Sequence, residues 1–187
     1  SVANDLREGK KVRGDSFPDV SVLFCDIVDF TKTASLHSAL EIFEMLGQLY
    51  ARFDTVIEHH PVYKVETVGD CYMVAAGVPT PRADHARVKA LMAIDMREAM
   101  RSRDAVGHLG LELRIGINSG PVVAGVIGRK RFLYDLWGDA VNMASRMESQ
   151  GTPGRIQVTP ATYQLLCDEF VLEARGTVPI KGKGDVE

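Results

Sequence analysis

Two short apolar segments that each carry an aspartate constrain the fold of this chain more than any other feature. Residues 20–28 read VSVLFCDIV and contain Asp26, and residues 63–74 read YKVETVGDCYMV and contain Asp70. Short runs rich in β-branched residues predict buried strands. An unpaired carboxylate is expensive to bury, and two on neighbouring strands repel each other unless a cation lies between them. The pair therefore predicts a divalent-metal site whose oxygen ligands suit magnesium or manganese.

Length, charge and cysteine content exclude several classes of function. The 187 residues are enough for one folded domain with its own core. A formal net charge of −3 gives no electrostatic basis for binding nucleic acid. The three cysteines lack metal-ligand spacing and indicate a reducing, cytoplasmic compartment. We also expect no membrane contact by this domain, because no apolar stretch could span a bilayer, although a longer parent protein could be membrane-attached.

The order of the remaining elements predicts an α+β fold. Apolar residues spaced three and four apart predict one amphipathic helix from Thr31 to about His59, and Gly69-Asp70 suits a tight hairpin turn. We expect, in order, strands at 62–68 and 71–76, a helix at 84–103, strands at 111–118 and 121–127, a helix at 138–148, a strand at 156–158, a helix capped by Thr159, and strands at 171–172 and 178–180 that finish the sheet. This order corresponds to a ferredoxin-like βαββαβ core sheet with helices packed on it.

Five segments are similar, in order, to motifs of one family: the class III nucleotidyl cyclase catalytic domain, in its bacterial-type homodimeric form. They are FCDIVDFT at 24–31, ETVGDCYM at 66–73, LRIGINSG at 113–120, WGDAVNMASRMES at 137–149 and IKGKG at 180–184. The resemblance implies attack of the ribose 3′-hydroxyl on the α-phosphorus of a nucleoside triphosphate, with two divalent cations, magnesium or manganese. We expect residues 1–17 to end an upstream linker and 18–187 to form the catalytic domain, with its carboxyl-terminal strand truncated.

The resemblance also assigns roles to individual residues. It implies metal binding by Asp26, Asp70 and the backbone carbonyl of Ile27. It places Asn142 and Arg146, four apart on one helix, at the ribose and the transferring phosphate. It assigns phosphate binding to Phe30, Thr31, Arg114 and Lys181. Ordinary structural alternatives are a turn or cap role for a single aspartate, an N-cap role for Thr31, and pairing of Arg146 with Glu148 or Asp139. The family typically has glycine where Asp29 stands, and this aspartate adds negative charge beside the phosphate path.

Base recognition gives conflicting signals. The resemblance assigns it to Glu66 and Asp135: glutamate at the first position is typical of guanylate cyclases, and aspartate at the second is typical of adenylate cyclases. Glu66 would face an acceptor, the ring nitrogen, if adenine were bound, and Asp135 would face an acceptor, the carbonyl, if guanine were bound. Either mismatch costs roughly 1–3 kcal/mol. The chain could be relaxed in specificity, an adenylate cyclase with an engineered substitution at Glu66, or a guanylate cyclase with an unusual second position. We favour ATP slightly.

Both halves of a family active site occur in one chain, so the resemblance implies a head-to-tail homodimer with two equivalent sites and a nucleoside triphosphate as ligand. One alternative of another class is a catalytically weak nucleotide-binding module that signals or dimerises. A further alternative is a ferredoxin-like diguanylate cyclase or polymerase palm domain. Those domains use different signature loops, and the sequence contains no Gly-Gly-Asp/Glu-Glu-Phe stretch.

Overall fold

Helices separate single strands or pairs of strands along the described part of the chain. The computed structural model describes residues 14–101, 111–127, 133–180 and 184–186. Its strands are β1 (Asp15–Ile27), β2 (Tyr63–Val68), β3 (Cys71–Ala76), β4 (Leu113–Ile127), β5 (Leu133–Trp137), β6 (Ile156–Val158), β7 (Val178–Ile180) and β8 (Gly184–Val186). Its helices are α1 (Phe30–Ser35), α2 (Ala39–Glu58), α3 (His85–Ala99), α4 (Asp139–Ser149) and α5 (Pro160–Leu166).

The main sheet confirms the predicted ferredoxin-like core. Its strand order is β2-β3-β1-β4-β5, and β6 also pairs with β4. Neighbours among the first five strands are antiparallel, whereas β6 runs parallel to β4. The order 2-3-1-4 of the first four strands is the βαββαβ arrangement. Strand β1 therefore lies at the centre, between the hairpin and β4, with Val20, Val22 and Leu23 fully buried.

Each face of β1 packs against different helices. One core cluster joins alternate residues of β1 to helices α2 and α3; it includes Leu23, Cys25, Leu49, Phe53 and Met92. The other cluster joins the opposite face to α4; it includes Val20, Val22, Ala140 and Ala144. Glycine at position 116 lets α4 rest directly on β4, because a Cβ there would lie 2.0 Å from the Glu148 amide nitrogen.

The predicted single helix at 31–59 is wrong, because the chain breaks into α1 and α2. Ser38 and Glu41 form a capping box that starts α2: the Ser38 amide donates to Glu41 Oε2 at 2.7 Å, and the Glu41 amide donates to Ser38 Oγ at 3.3 Å. This reciprocal pair satisfies orphan amides at a new helix start. In the described part of the chain, no helix is both long enough and apolar enough to cross a membrane.

Several strand boundaries also differ from the prediction. The two strands predicted at 111–118 and 121–127 are one continuous strand, β4, which begins at Leu113 and pairs with β6 in its first half and with β5 in its second. Strand β5 was not predicted. Residues 171–172 form no strand, and β7 pairs with β8 in a separate two-stranded sheet instead of finishing the main one. Helix α3 ends at Ala99, and the predicted end at 103 lies outside the described residues.

Candidate active site

A cleft of about 590 Å³ opens where β1 ends and α1 begins. Its lining residues are Asp26, Ile27, Asp29, Phe30, Thr31, Lys32, Ser35, Asp70 and Arg114. Strand register explains part of this set, because Asp26 on β1 lies directly opposite Arg114 on β4. The β2–β3 turn supplies Asp70, and the Tyr50 hydroxyl of α2 donates to the Gly69 carbonyl in that turn. Six residues predicted from the sequence thus meet in one cleft.

Asp26 and Asp70 form a close carboxylate pair in this cleft. Burial raises the pKa of Asp70 to about 7, with further contributions from a hydrogen bond to Asp26 and from the Asp26 charge. Two carboxylates that interact this strongly suit a divalent cation, which prefers hard oxygen donors. Among the described residues, no cluster of three or more His, Cys, Asp or Glu side chains is arranged to hold a metal. A cation here would therefore need oxygens from the backbone, water or substrate besides the two aspartates.

Arg114 joins this pair to a third carboxylate. Its Nη2 donates to Asp26 Oδ2 at 3.2 Å, and its Nε donates to Glu148 Oε1 at 3.1 Å. Glu148 lies on α4 and is only 7% exposed. Burial and the Asp26 charge raise the pKa of Glu148 to about 7, against the lowering effect of Arg114.

Glu148 was not predicted as a site residue; the sequence suggested it only as a partner for Arg146. The structure pairs it with Arg114 instead. The signal that could have found it is helical spacing: Glu148 follows Ala140 and Ala144 at intervals of four, on the face of α4 that is buried. A carboxylate on an apolar helix face needs a partner.

Asp29 adopts a left-handed backbone conformation, which glycine adopts at less cost than a residue with a side chain. Its φ of 54° and ψ of 27° are left-handed, at the position just before α1. Its carbonyl accepts from the Thr33 amide at 3.0 Å, while its exposed side chain forms no capping bond. Because α1 begins at Phe30, Thr31 lies inside the helix, and its alternative role as N-cap is wrong.

The residues predicted to bind the ribose and the transferring phosphate lie on α4, outside this cleft. Asn142 is exposed and Arg146 is half-buried. Among the described residues, Arg146 Nη1 is buried and has no hydrogen-bond partner. A buried guanidinium nitrogen without an acceptor is costly, so this side chain is suited to an anionic ligand.

The predicted base-reading residues lie on the two edge strands of the main sheet. Strands β2 and β5 nevertheless contact each other, through an edge-to-face pair of Tyr63 and Tyr134 with ring centroids 5.3 Å apart. Glu66 on β2 follows a register shift in the β2–β3 pairing, and Asp135 on β5 accepts from the Leu136 amide at 2.8 Å. Both are half-buried and lie outside the cleft.

The predicted site residues therefore fall into two sets. The cleft set comprises Asp26, Ile27, Phe30, Thr31, Asp70 and Arg114. The second set, which does not line the cleft, comprises Glu66, Asp135, Asn142 and Arg146. Lys181 lies outside the described residues.

Comparison with known proteins gives one consistent family. Residues 12–187 match the family model described as the adenylate and guanylate cyclase catalytic domain. The chain is 46% identical over 186 residues to an adenylate cyclase of Mycobacterium tuberculosis, covering 98% of this chain and 42% of that protein. It is 44% identical over 185 residues to human guanylate cyclase soluble subunit beta-2, covering 98% of this chain and 30% of that protein.

Solved structures agree with these relatives. The guanylate cyclase domain of RhGC from Catenaria anguillulae, in complex with GTP, superposes with a TM-score of 0.88 at 37% identity, covering 92% of this chain and 94% of that one. The chain spans less than half the length of the two curated relatives above. The resemblance to the structure, by contrast, extends over nearly the whole of both chains.

Proposed function

This chain belongs to the family of adenylate and guanylate cyclase catalytic domains, and on that premise we propose that it converts a purine nucleoside triphosphate into a 3′,5′-cyclic nucleotide and pyrophosphate. The observation that carries the proposal is the Asp26–Asp70 carboxylate pair beside Arg114 in an open cleft. The arrangement supplies ligands for cations and a fixed positive charge for phosphates, which is what phosphoryl transfer needs.

The cleft set would bind the metal and triphosphate end of the substrate. Asp26, Asp70 and the Ile27 carbonyl would hold two divalent cations, magnesium or manganese. Those cations would make the 3′-hydroxyl more acidic and neutralise phosphate charge. Arg114 would bind the terminal phosphates through its planar fork, together with Lys181 and the backbone around Phe30 and Thr31.

The second set would bind the ribose and base. Asn142 would orient the ribose, and Arg146 would neutralise charge on the transferring phosphate. The unpartnered Nη1 of Arg146 supports this role. Since these residues lie outside the cleft of their own chain, we infer a head-to-tail homodimer in which each site takes the cleft set from one chain and the second set from the other.

A direct test measures cyclic nucleotide production by the purified chain with ATP or GTP and manganese. We expect turnover in the wild type and none in Asp26→Ala or Arg146→Ala. Mixing these two inactive variants should restore activity to about a quarter of the wild-type level if the chains exchange freely, because half of the dimers are mixed and each has one intact site. No metal-dependent product from the wild type would refute the cyclase proposal, and no recovery on mixing would refute the shared site.

Base preference follows from Glu66 and Asp135, and we favour ATP slightly. Asp135 suits the exocyclic amine of adenine, whereas Glu66 suits the ring N–H and amine of guanine, so neither base is fully matched. The relatives include both adenylate and guanylate cyclases. An equimolar ATP and GTP competition should give both cyclic products, with less than about tenfold preference. A hundredfold preference for either would refute relaxed specificity.

A second candidate function is a nucleotide-binding module with little turnover. The observation that favours it is the exposed Asp29 carboxylate in the cleft wall, where it would oppose phosphate. Thermal unfolding with nucleotide and manganese separates the two functions. Stabilisation without product indicates the binding module, and stabilisation with product indicates the enzyme.

A further inference from the structure

A chain of buried hydrogen bonds connects helix α3 to the first turn of α4 through the centre of the molecule. Its members, here called the buried polar chain, are His85, Ser21, Ser119, Thr162, Thr159 and Asn118, each less than a tenth exposed. The bonds are Ser21 Oγ to His85 Nδ1 at 2.8 Å, Ser21 Oγ to Ser119 Oγ at 2.7 Å, Thr162 Oγ1 to Ser119 Oγ at 3.0 Å, Thr159 Oγ1 to Thr162 Oγ1 at 3.2 Å and Thr159 Oγ1 to Asn118 Oδ1 at 2.7 Å.

The buried polar chain ends at helix α4. Asn118 Nδ2 donates to the Ala140 carbonyl at 2.9 Å, while Asn118 Oδ1 accepts from Thr159. The two bonds fix which way the amide points, because only its nitrogen can donate and only its oxygen can accept. Ala140 is the second residue of α4 and comes two positions before Asn142. Strand β4 thus holds α4 through the hydrogen bond from Asn118 to Ala140. This bond lies in the first turn of α4, two residues before Asn142, the proposed ribose-binding residue.

The opposite faces of α4 have different partners. Two residues along a helix turn the side chain by about 200°, so Asn142 points away from the face that Ala140 buries. The burial pattern agrees, since Ala140 is 6% exposed and Asn142 is exposed. On the buried face, a Cβ at Gly120 would lie 3.2 Å from the Ala140 Cβ, so helix and strand are in close contact there. A shift at the Ala140 contact would therefore move Asn142 and Arg146 together.

We propose that Asn118 is a positioning residue for α4, which sets the placement of Asn142 and Arg146 through the Ala140 carbonyl. The inference rests on the proposed cyclase function. Asn118 touches no substrate in this scheme and acts through the helix. Displacing reacting groups by about 1 Å can cost about a hundredfold in rate. Loss of the Asn118 bond should therefore lower kcat by about 10–100-fold and change KM by less than about threefold.

The variants are Asn118→Ala, Asn118→Ser and the matched control Ser21→Ala. Asn118→Ser keeps a buried hydroxyl beside Thr159 but is too short to reach Ala140, so it covers the case in which Asn118→Ala fails to fold. Ser21→Ala removes two bonds at the other end of the buried polar chain without touching α4. We expect kcat to fall in the Asn118 variants and to stay within about threefold of wild type in Ser21→Ala. An equal fall in all three would show general destabilisation and overturn the proposal.

Mixing experiments locate the defect. Asn118→Ser mixed with Asp26→Ala should recover activity, because the first chain has an intact cleft and the second has an intact α4. Asn118→Ser mixed with Arg146→Ala should not recover activity, since both substitutions impair the second set of site residues and neither chain supplies an intact one. Recovery in the second mixture would overturn the proposal. No recovery in the Asp26→Ala with Arg146→Ala control would instead refute the shared site.

Amide hydrogen exchange tests the inference even in a protein without turnover. We expect the amides at 141–144 to exchange about tenfold faster in Asn118→Ser than in wild type, and no such change in Ser21→Ala. Unchanged exchange in Asn118→Ser would overturn the positioning role, whatever the outcome for cyclase activity.

Discussion

The Nε of Arg114 lies 3.1 Å from Oε1 of Glu148, a contact that joins strand β4 to helix α4. The same guanidinium donates its Nη2 to Asp26, so one positively charged side chain bridges two carboxylates. If Asp26 binds a cation, Arg114 and that cation compete for it, and Glu148 is the partner that keeps Arg114 from binding Asp26 alone.

Removing the Glu148 side chain should therefore weaken the binding of the catalytic cation. We expect Glu148→Ala to raise the manganese concentration for half-maximal activity by about tenfold, since one charge-assisted bond contributes roughly 1–3 kcal/mol. Glu148→Gln keeps an acceptor for Nε but loses the charge, so its effect should be smaller. Manganese titrations of cyclic nucleotide production measure both variants. An unchanged metal requirement in Glu148→Ala would show that Arg114 needs no such partner.

The Asp26–Asp70 pair should cost stability in metal-free protein. Asp70 is partly desolvated beside another carboxylate, and its pKa is raised to about 7. Without metal at pH 8, Asp70→Asn should therefore raise the unfolding temperature by about 2–4 °C while abolishing manganese-dependent stabilisation and activity.

A matched substitution gives the opposite expectation for stability. Asp54 accepts from Lys64 at 2.6 Å and from the Tyr72 hydroxyl at 2.5 Å, and those partners hold its pKa below the usual value despite desolvation. Asp54→Asn should therefore lower the unfolding temperature. If both variants are destabilised, repulsion in the cleft is not the dominant effect at Asp70.

Lys89 should make the folded protein less stable as the pH falls. The side chain is fully buried on α3, burial lowers its pKa well below the usual value, and its Nζ has no hydrogen-bond partner among the described residues. Between the folded pKa and about 10.4, the unfolded chain binds a proton that the folded chain does not, so stability rises with pH by up to about 1.4 kcal/mol per pH unit.

Lys89→Met keeps the apolar stem and removes the titrating group. We expect it to increase the free energy of unfolding more at pH 7 than at pH 9, as measured by urea denaturation at both values. Lys32→Met, on an exposed side chain, is the control and should show no such pH-dependent gain. An equal gain at both pH values for Lys89→Met would mean that Lys89 has the same protonation state in the folded and unfolded chains.

Local patterns predicted the elements whose signals are complete within a few residues. The Gly69-Asp70 hairpin and helix α5, with its Thr159 cap and Pro160, follow from such signals and are confirmed. The break before α2 was missed because the apolar spacing continues across it, although Ser38 and Glu41 carry the capping signature. Strand β5 was missed because its five residues show no clean alternation, and it is defined by pairing with β4.

The sequence predicted those site residues that lie in recognisable motifs. It missed the one residue whose role depends on its burial in the fold. The structure brings Asp26, Asp70 and Arg114 into one cleft, and their proposed roles remain predictions. Glu148 was not assigned, because a glutamate on a helix is ordinarily exposed to solvent, although its spacing from Ala140 and Ala144 places it on the buried face of α4. Its importance comes from a contact with Arg114, 34 residues away in sequence.

Asp29 combines a strained backbone conformation with a negative charge, and substitutions can separate the two effects. Its left-handed φ of 54° is unfavourable for a residue with a side chain by roughly 1 kcal/mol, and its exposed carboxylate lines the cleft proposed for phosphates. Asp29→Gly should raise stability by up to that amount and lower KM for the nucleotide several-fold, whereas Asp29→Asn should lower KM with little gain in stability, since Asn keeps the strain. Steady-state kinetics at low and high salt, with thermal unfolding of both variants, separate the two effects. A KM that stays at the wild-type value in both variants would show that the Asp29 carboxylate lies outside the phosphate path.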